Sequence, residues 1–229
     1  HKAAGIDKTM DALISLGRIR PMIVVMPDGN GGPFSDSEWA DNGQELHAEE
    51  YLIREVVPYI DSHYRTLADR DQRAIGGLST GGFGAVNITL HHPEVFGYAL
   101  SLSANYLAST TWTGQDLWHG DQALQRFNSP LSYVYQLAPE VRSTLHIYLT
   151  VDPDDRDNNT AQETRQFDAV LTHLHVPHLT QYFKGGHSWK YWKTHIVDAL
   201  LYLQRVMPPL GGTTMPHAVG AHPDGVAEP

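Results

Sequence analysis

Cysteine is absent from all 229 residues. That absence excludes disulfides, thiolate metal sites and a cysteine nucleophile together, and leaves the redox compartment open. Basic residues are scarce: 16 Lys and Arg stand against 26 Asp and Glu, for a formal net charge of -10. Without clusters of Lys and Arg the phosphates of a nucleic acid would go unneutralised, so no nucleic-acid partner is expected. No apolar run reaches the roughly 18 residues that a membrane helix needs, so no transmembrane segment is expected in this chain. There is no initiator Met and no visible signal peptide. The abrupt opening His-Lys-Ala-Ala-Gly reads as a processed or trimmed product.

What remains suits one domain with a full-sized core, at 41% hydrophobic and 18% charged residues. Apolar positions at helical spacing predict a helix over Ile6–Leu16, ended by Gly17. Met22–Met26 (MIVVM), stopped by Pro27-Asp28-Gly29, reads as a strand buried on both faces. Residues 27–45 are rich in Gly, Asp, Asn and Ser and read as a long loop. Leu46–Tyr64 reads as a helix with Leu52, Ile53, Val56, Val57 and Ile60 inward, kinked or broken at Pro58. Short strands follow at Arg73–Leu78, Tyr98–Ser103, Leu145–Val151 and Leu179–Phe183. Helices are expected at Gly81–His92, Thr160–Leu174 and Trp189–Val206. Residues 104–144 show no clean period. The domain is placed at residues 1–207, with a Pro/Gly-rich tail over 208–229. Alternating strands and helices predict an α/β fold, a mostly parallel central sheet with helices on both faces.

Gly77-Leu78-Ser79-Thr80-Gly81 matches G-x-S-x-G, the turn that presents a nucleophilic serine. Its context carries more weight than its pattern. A strand is predicted to end just before the serine and a helix to begin just after it. Such a tight turn leaves no room for flanking side chains, and Gly77 and Gly81 supply none. The turn would lift the Ser79 hydroxyl to the helix N-terminus, where free amides favour negative charge.

A serine hydroxyl needs a base at neutral pH. Of 14 histidines, His187 follows the last predicted strand on the turn Lys184-Gly185-Gly186. In a parallel sheet that is the same carboxyl edge as Ser79. His91 and His92, at a helix end, read as cap or surface residues. His173, His175 and His178 have no adjacent carboxylate, and no metal site is expected there. The acid that orients the imidazole should follow the strand Leu145–Val151. Asp155 is favoured, with Asp157 and then Asp152 as alternates. For the oxyanion hole the Thr80 N–H is one donor. A second would come from His1–Gly5, or from a loop ahead of this chain. Trp39 and Trp189 are candidates for lining a substrate pocket, although Trp189 and Trp192 serve equally well as core packing.

These residues resemble the esterase D-like family of serine α/β-hydrolases. The resemblance rests on Met26-Pro27-Asp28-Gly29, Trp39, Pro58-Tyr59-Ile60-Asp61 and Tyr64-Arg65. It continues through Ala74–Ala85, His92–Phe96, Ser101-Leu102-Ser103 and Gly186-His187-Ser188-Trp189 with Trp192. The family holds feruloyl and acetyl xylan esterases, S-formylglutathione hydrolases, enterobactin esterases and mycolyltransferases. The resemblance implies an α/β-hydrolase fold lacking its first strands, and a triad of Ser79, His187 and Asp155. Where the family has Gly-x-x-Asp, this chain has Asp152-Pro153-Asp154-Asp155, so the glycine is replaced. The resemblance further implies a small-molecule or carbohydrate-linked ester as substrate and no metal or organic cofactor. It favours an exported or envelope-associated location over the cytoplasm. Three functions compete: a serine carboxylic ester hydrolase, an acyltransferase of mycolyltransferase type that passes the acyl group to a sugar hydroxyl, and a non-catalytic binding protein on the same fold. Oligomeric state is left open.

Overall fold

A short glycine-bearing strand and the helix behind it set the architecture. The computed structural model describes residues 5–29, 36–108 and 116–209. In chain order these hold α1 (Ile6–Ser15), α2 (Ala48–Tyr51), α3 (Val57–His63), β1 (Ala74–Leu78), α4 (Thr80–His91) and β2 (Tyr98–Leu102). They continue with α5 (Gln122–Phe127), α6 (Pro130–Tyr133), α7 (Pro139–Arg142), β3 (His146–Val151), α8 (Thr160–His173), β4 (His178–Tyr182) and α9 (Trp189–Val206). The four strands form one parallel sheet in the order β1-β2-β3-β4.

Side chains alternate across the strands, and each face finds its own cover. Ala99, Ile147 and Leu149 point toward Phe83, Val86 and Leu90 of α4 and Phe167 and Leu171 of α8. Tyr98, Leu100, Leu102 and Tyr148 point the other way, onto Tyr191, Trp192, Ala199, Tyr202 and Leu203 of α9. Met10 and Leu13 of α1 close the outside of α9 against Leu200. Residues Gly82 to Leu90 of α4 are all buried, as expected of a helix apolar on every side. Among the described residues no helix is long and apolar enough to cross a membrane.

Two segments depart from the sequence expectation. Met22–Met26 forms no strand, and Ile23, Val24, Val25 and Met26 are exposed rather than buried on both faces. β-Branched residues favour a pleated, half-buried surface, and among the described residues no strand pairs with them to supply one. The segment Ala48–His63 runs on through Pro58 by widening: Leu52–Val56 is a π-helical turn between α2 and α3. The proline has no N–H to give and would strike the carbonyl four residues back, and the wider turn accommodates both. The helices α5, α6 and α7 fill part of the stretch without a clean period. Residues 1–4, 30–35, 109–115 and 210–229, and with them nearly all of the expected tail and most of the His1–Gly5 segment, lie outside the described residues.

His91 and His92 are not loose surface groups. Glu49 of α2, itself buried, accepts from His91 Nδ1 at 3.0 Å and from His92 Nε2 at 2.8 Å. His91 also stacks against Phe127 and Tyr133. Burial pushes the Glu49 carboxyl up, but the two imidazoles outweigh it and hold it down near 2. His92 is raised, chiefly by its hydrogen bond to Glu49. His178, with no carboxylate adjacent in sequence, lies 3.2 Å from Asp168 of the preceding helix.

The Glu49 contribution is therefore present above pH 4.5 and lost as pH falls toward 2, whereas the His92 contribution is present below 6.5 and lost as pH rises through its raised value. Glu49→Gln is expected to cost about 2–3 kcal/mol at pH 5.5 and less at pH 9. Urea unfolding of both proteins at the two pH values checks this, and equal penalties would count against the pairing.

Candidate active site

The turn after β1 is made by a single residue. Ser79 sits at φ 53°, ψ −123°, a conformation that costs a non-glycine residue about 1–3 kcal/mol. Its N–H still continues the sheet by donating to Leu102 O at 2.8 Å, while its carbonyl accepts from Gly82 N and Phe83 N of α4. Strand ladder and helix ladder thus meet on one residue. Gly77 makes this possible: a Cβ there would stand 2.3 Å from the Gly81 carbonyl carbon. The Thr80 N–H opens α4 with no hydrogen-bond acceptor among the described residues. It is the orphan donor expected of a helix start.

Three strand ends converge on this rim. Leu78 pairs with Leu102, Leu102 with Thr150, and Val151 with Tyr182. Ser79, the Asp152–Asp157 segment and the Lys184–His187 turn therefore leave the sheet at one edge. Ser79 Oγ lies 2.9 Å from His187 Nε2, and Asp155 Oδ2 lies 3.1 Å from His187 Nδ1. Asp155 is buried. With the serine hydroxyl donating to Nε2 and the Nδ1–H donating to the carboxylate, a proton has a path off the serine and a charge to balance it.

The structure gives the three acids named from sequence three different contacts. Asp155 faces Nδ1. Asp157 Oδ2 is 3.8 Å from Nε2, on the serine side of the ring. Asp152 touches neither nitrogen. Its Oδ2 accepts from the N–H groups of Gly185 at 2.7 Å and Gly186 at 2.8 Å, which clamps the turn that carries His187. Burial pushes the Asp152 carboxyl up, but the Asp154, Gly185 and Gly186 amides and the Lys184 charge outweigh it and hold it below its ordinary value. Sequence reasoning treated Asp152 as a lesser alternate acid; nothing in its spacing shows that it holds two amides.

The aromatic groups frame the imidazole. Trp192 meets the His187 ring edge-on with centroids 5.0 Å apart, and Trp189 meets Trp192 edge-on at 5.1 Å. Trp189 is half exposed, at the first turn of α9. Trp39 lies across the start of α4: a Cβ on Gly84 would stand 2.4 Å from Trp39 Cβ, and the nearest atom to one on Gly81 is Trp39 Nε1. Its ring therefore stands over the turn that follows Ser79 and stays partly exposed.

The residue before it was not anticipated. Glu38 is buried, both its carboxylate oxygens lack a hydrogen-bond partner among the described residues, and it shares positive φ with Trp39, at 50° and 54°. Burial, helped by the nearby Asp36 charge, raises its carboxyl to about 8. No sequence signal marks a glutamate in a polar loop as buried.

The site can be set beside known proteins. The family model described as putative esterase matches residues 1–203. An endo-1,4-beta-xylanase/feruloyl esterase of Xylanibacter ruminicola is 44% identical over 89 residues, 39% of this chain and 12% of that protein. An esterase of Mycobacterium tuberculosis is 26% identical over 75% of this chain and 42% of its own length. The chain thus spans well under two thirds of these two relatives. A solved ferulic acid esterase superposes with a TM-score of 0.75 at 25% identity, covering 89% of this chain and 78% of that one. These likenesses agree with an α/β-hydrolase fold.

Protonated Glu38 is favoured in the folded state, so stability falls as pH rises from 4.5 to about 8. Glu38→Gln should remove that loss. Its melting temperature should exceed that of the parent at pH 8 and above, by the equivalent of a few kcal/mol, and match it near pH 4.5. Thermal unfolding across that range is the measurement, and a gain independent of pH would refute the assignment.

Proposed function

We propose that this chain, which belongs to the putative esterase family, hydrolyses carboxylic esters in two steps through an acyl group carried on Ser79. The observation that carries the reading is the continuous Ser79–His187–Asp155 contact, at 2.9 and 3.1 Å. In the first step His187 Nε2 takes the hydroxyl proton as Ser79 Oγ attacks the ester carbonyl. The Thr80 N–H faces the oxygen that becomes negative. The tetrahedral adduct collapses, and the alcohol leaves with the proton from Nε2. In the second step water attacks the acyl-serine, loses a proton to His187, and the carboxylic acid is released. Asp155 holds the ring with Nε2 toward the serine and balances the imidazolium charge. No metal or organic cofactor enters either step.

The substrate class we infer is a carbohydrate-linked ester with an aromatic or short acyl group. The relatives include a xylanase/feruloyl esterase and a ferulic acid esterase, and Trp39 and Trp189 offer flat, partly exposed walls beside the serine and the imidazole. A carbohydrate polymer as substrate would agree with an exported or envelope-associated enzyme.

The test is hydrolysis of 4-nitrophenyl acetate and methyl ferulate by the parent protein and two variants. Ser79→Ala is expected to lose on the order of 10⁴-fold or more in kcat, and Asp155→Asn on the order of 10³–10⁴-fold. Equal rates for the parent and Ser79→Ala would end the nucleophile assignment. Products are to be analysed with trehalose present: free acid supports hydrolysis, and acylated sugar would transfer the reading to an acyltransferase.

A further inference from the structure

The Ser79 site has one charged group that the two-step scheme leaves unused. Asp157 projects its carboxylate to within 3.8 Å of His187 Nε2, the nitrogen that exchanges protons with the serine, the leaving alcohol and the water. The contact is not a by-product of the hydrogen bonds Asp157 makes within its loop, which use its backbone. The Asp157 N–H donates to Asp155 Oδ1 at 2.9 Å, and its carbonyl accepts from Thr160 Oγ1. The side chain is left to the site, and about half of it is exposed to solvent, so a bound substrate would meet it.

The charges around it do not cancel. Lys184 is committed to Asp154 and Asp152. Arg156 is exposed, and among the described residues neither it nor any other Lys or Arg pairs with Asp155 or Asp157. The imidazole thus has a carboxylate at each nitrogen, and among the described residues no Lys or Arg is paired with either carboxylate.

We infer that Asp157 is a specificity-determining residue of the proposed esterase, which selects against substrates carrying negative charge near the scissile bond and in favour of uncharged ester groups. The inference rests on the acyl-serine reading and narrows its substrate class. Acyl groups on neutral sugars pass. Anionic thioesters, such as acyl-glutathione conjugates, and esters with a carboxylate on the leaving group are turned away. The reason is Coulombic. A substrate carboxylate held about 7 Å from the Asp157 carboxylate, in surroundings between water and a protein surface, is disfavoured by on the order of ten-fold. Between half-exposed groups that discrimination weakens as salt rises.

Two acetates of matched shape test it: 4-acetoxybenzamide, which is neutral, and 4-acetoxybenzoate, which is anionic. The readout is the ratio of their kcat/KM values, neutral over anionic. The ratio for Asp157→Asn is expected to fall on the order of ten-fold below that of the parent, and Asp157→Glu to restore most of it. In the parent the ratio should shrink from 20 mM to 500 mM salt, and in Asp157→Asn it should hardly move. A purely structural role for Asp157 would change both esters alike and leave the ratio alone. A ratio unmoved by Asp157→Asn, or insensitive to salt in the parent, overturns the proposal while the esterase reading stands. Turnover of neither ester by the parent, or equal turnover by Ser79→Ala, overturns the esterase reading and this proposal with it.

Discussion

Everything at this site depends on the backbone of one residue satisfying two ladders at once. Ser79 gives its N–H to β2 and its carbonyl to α4, which forces a left-handed φ on a residue that must keep its side chain. The cost is met by the surroundings. Gly77 contributes no Cβ, so the Gly81 carbonyl group can occupy the space one would need. The first buried turns of α4 then fix the helix on the sheet, and no adjustment of φ at Ser79 is possible without breaking a ladder bond. Strain persists only where the structure over-determines it, and here strand, helix and close packing each do so.

The same economy places His187 and Asp155. A parallel sheet sends each strand's carboxyl end to the same rim, and the register of β1, β2, β3 and β4 is continuous. Distance along the chain then ceases to matter: 108 residues separate Ser79 from His187, and their polar atoms are 2.9 Å apart. What the sheet cannot supply is the last ångström. Asp152 supplies it by binding the two amides ahead of His187, so that the turn holds its shape before any substrate arrives. The loop after β3 thus does three separate things with Asp152, Asp155 and Asp157: it holds the turn, faces one nitrogen of the ring and charges the space beside the other.

Much of this was legible in the residues, because the signals were local. G-x-S-x-G between a strand and a helix, a histidine on a glycine turn, and a loop of candidate acids after the third strand, with Asp155 favoured over Asp157 and Asp152, needed only spacing and chain order. The failures were of another kind. Met22–Met26 has every mark of a buried strand, but a strand is completed by its neighbours and none of the described residues pairs with it. Pro58 foretold a disturbance yet could not say that a π turn would absorb it. His91 and His92 looked exposed because their partner Glu49 is 42 and 43 residues away. The separate duties of Asp152 and Asp157 follow from where two loops meet, and sequence spacing within one loop does not contain that.

The position of β1 explains why so much packing is gathered on α4. Among the described residues β1 pairs only with β2, and Gly76 and Gly77 give it no side chains with which to anchor its middle. A strand held on one side would ordinarily be free to twist, and the serine at its end would move with it. Here that freedom is removed from behind rather than from the side. α4 is buried from Gly82 to Leu90, and Gly84 admits Trp39 directly against the helix backbone. Leu52 and Phe96 pack around Ile88 on the outer face. The serine is therefore positioned chiefly by the helix it begins, and the strained Glu38–Trp39 segment is part of the structure that keeps that helix in place.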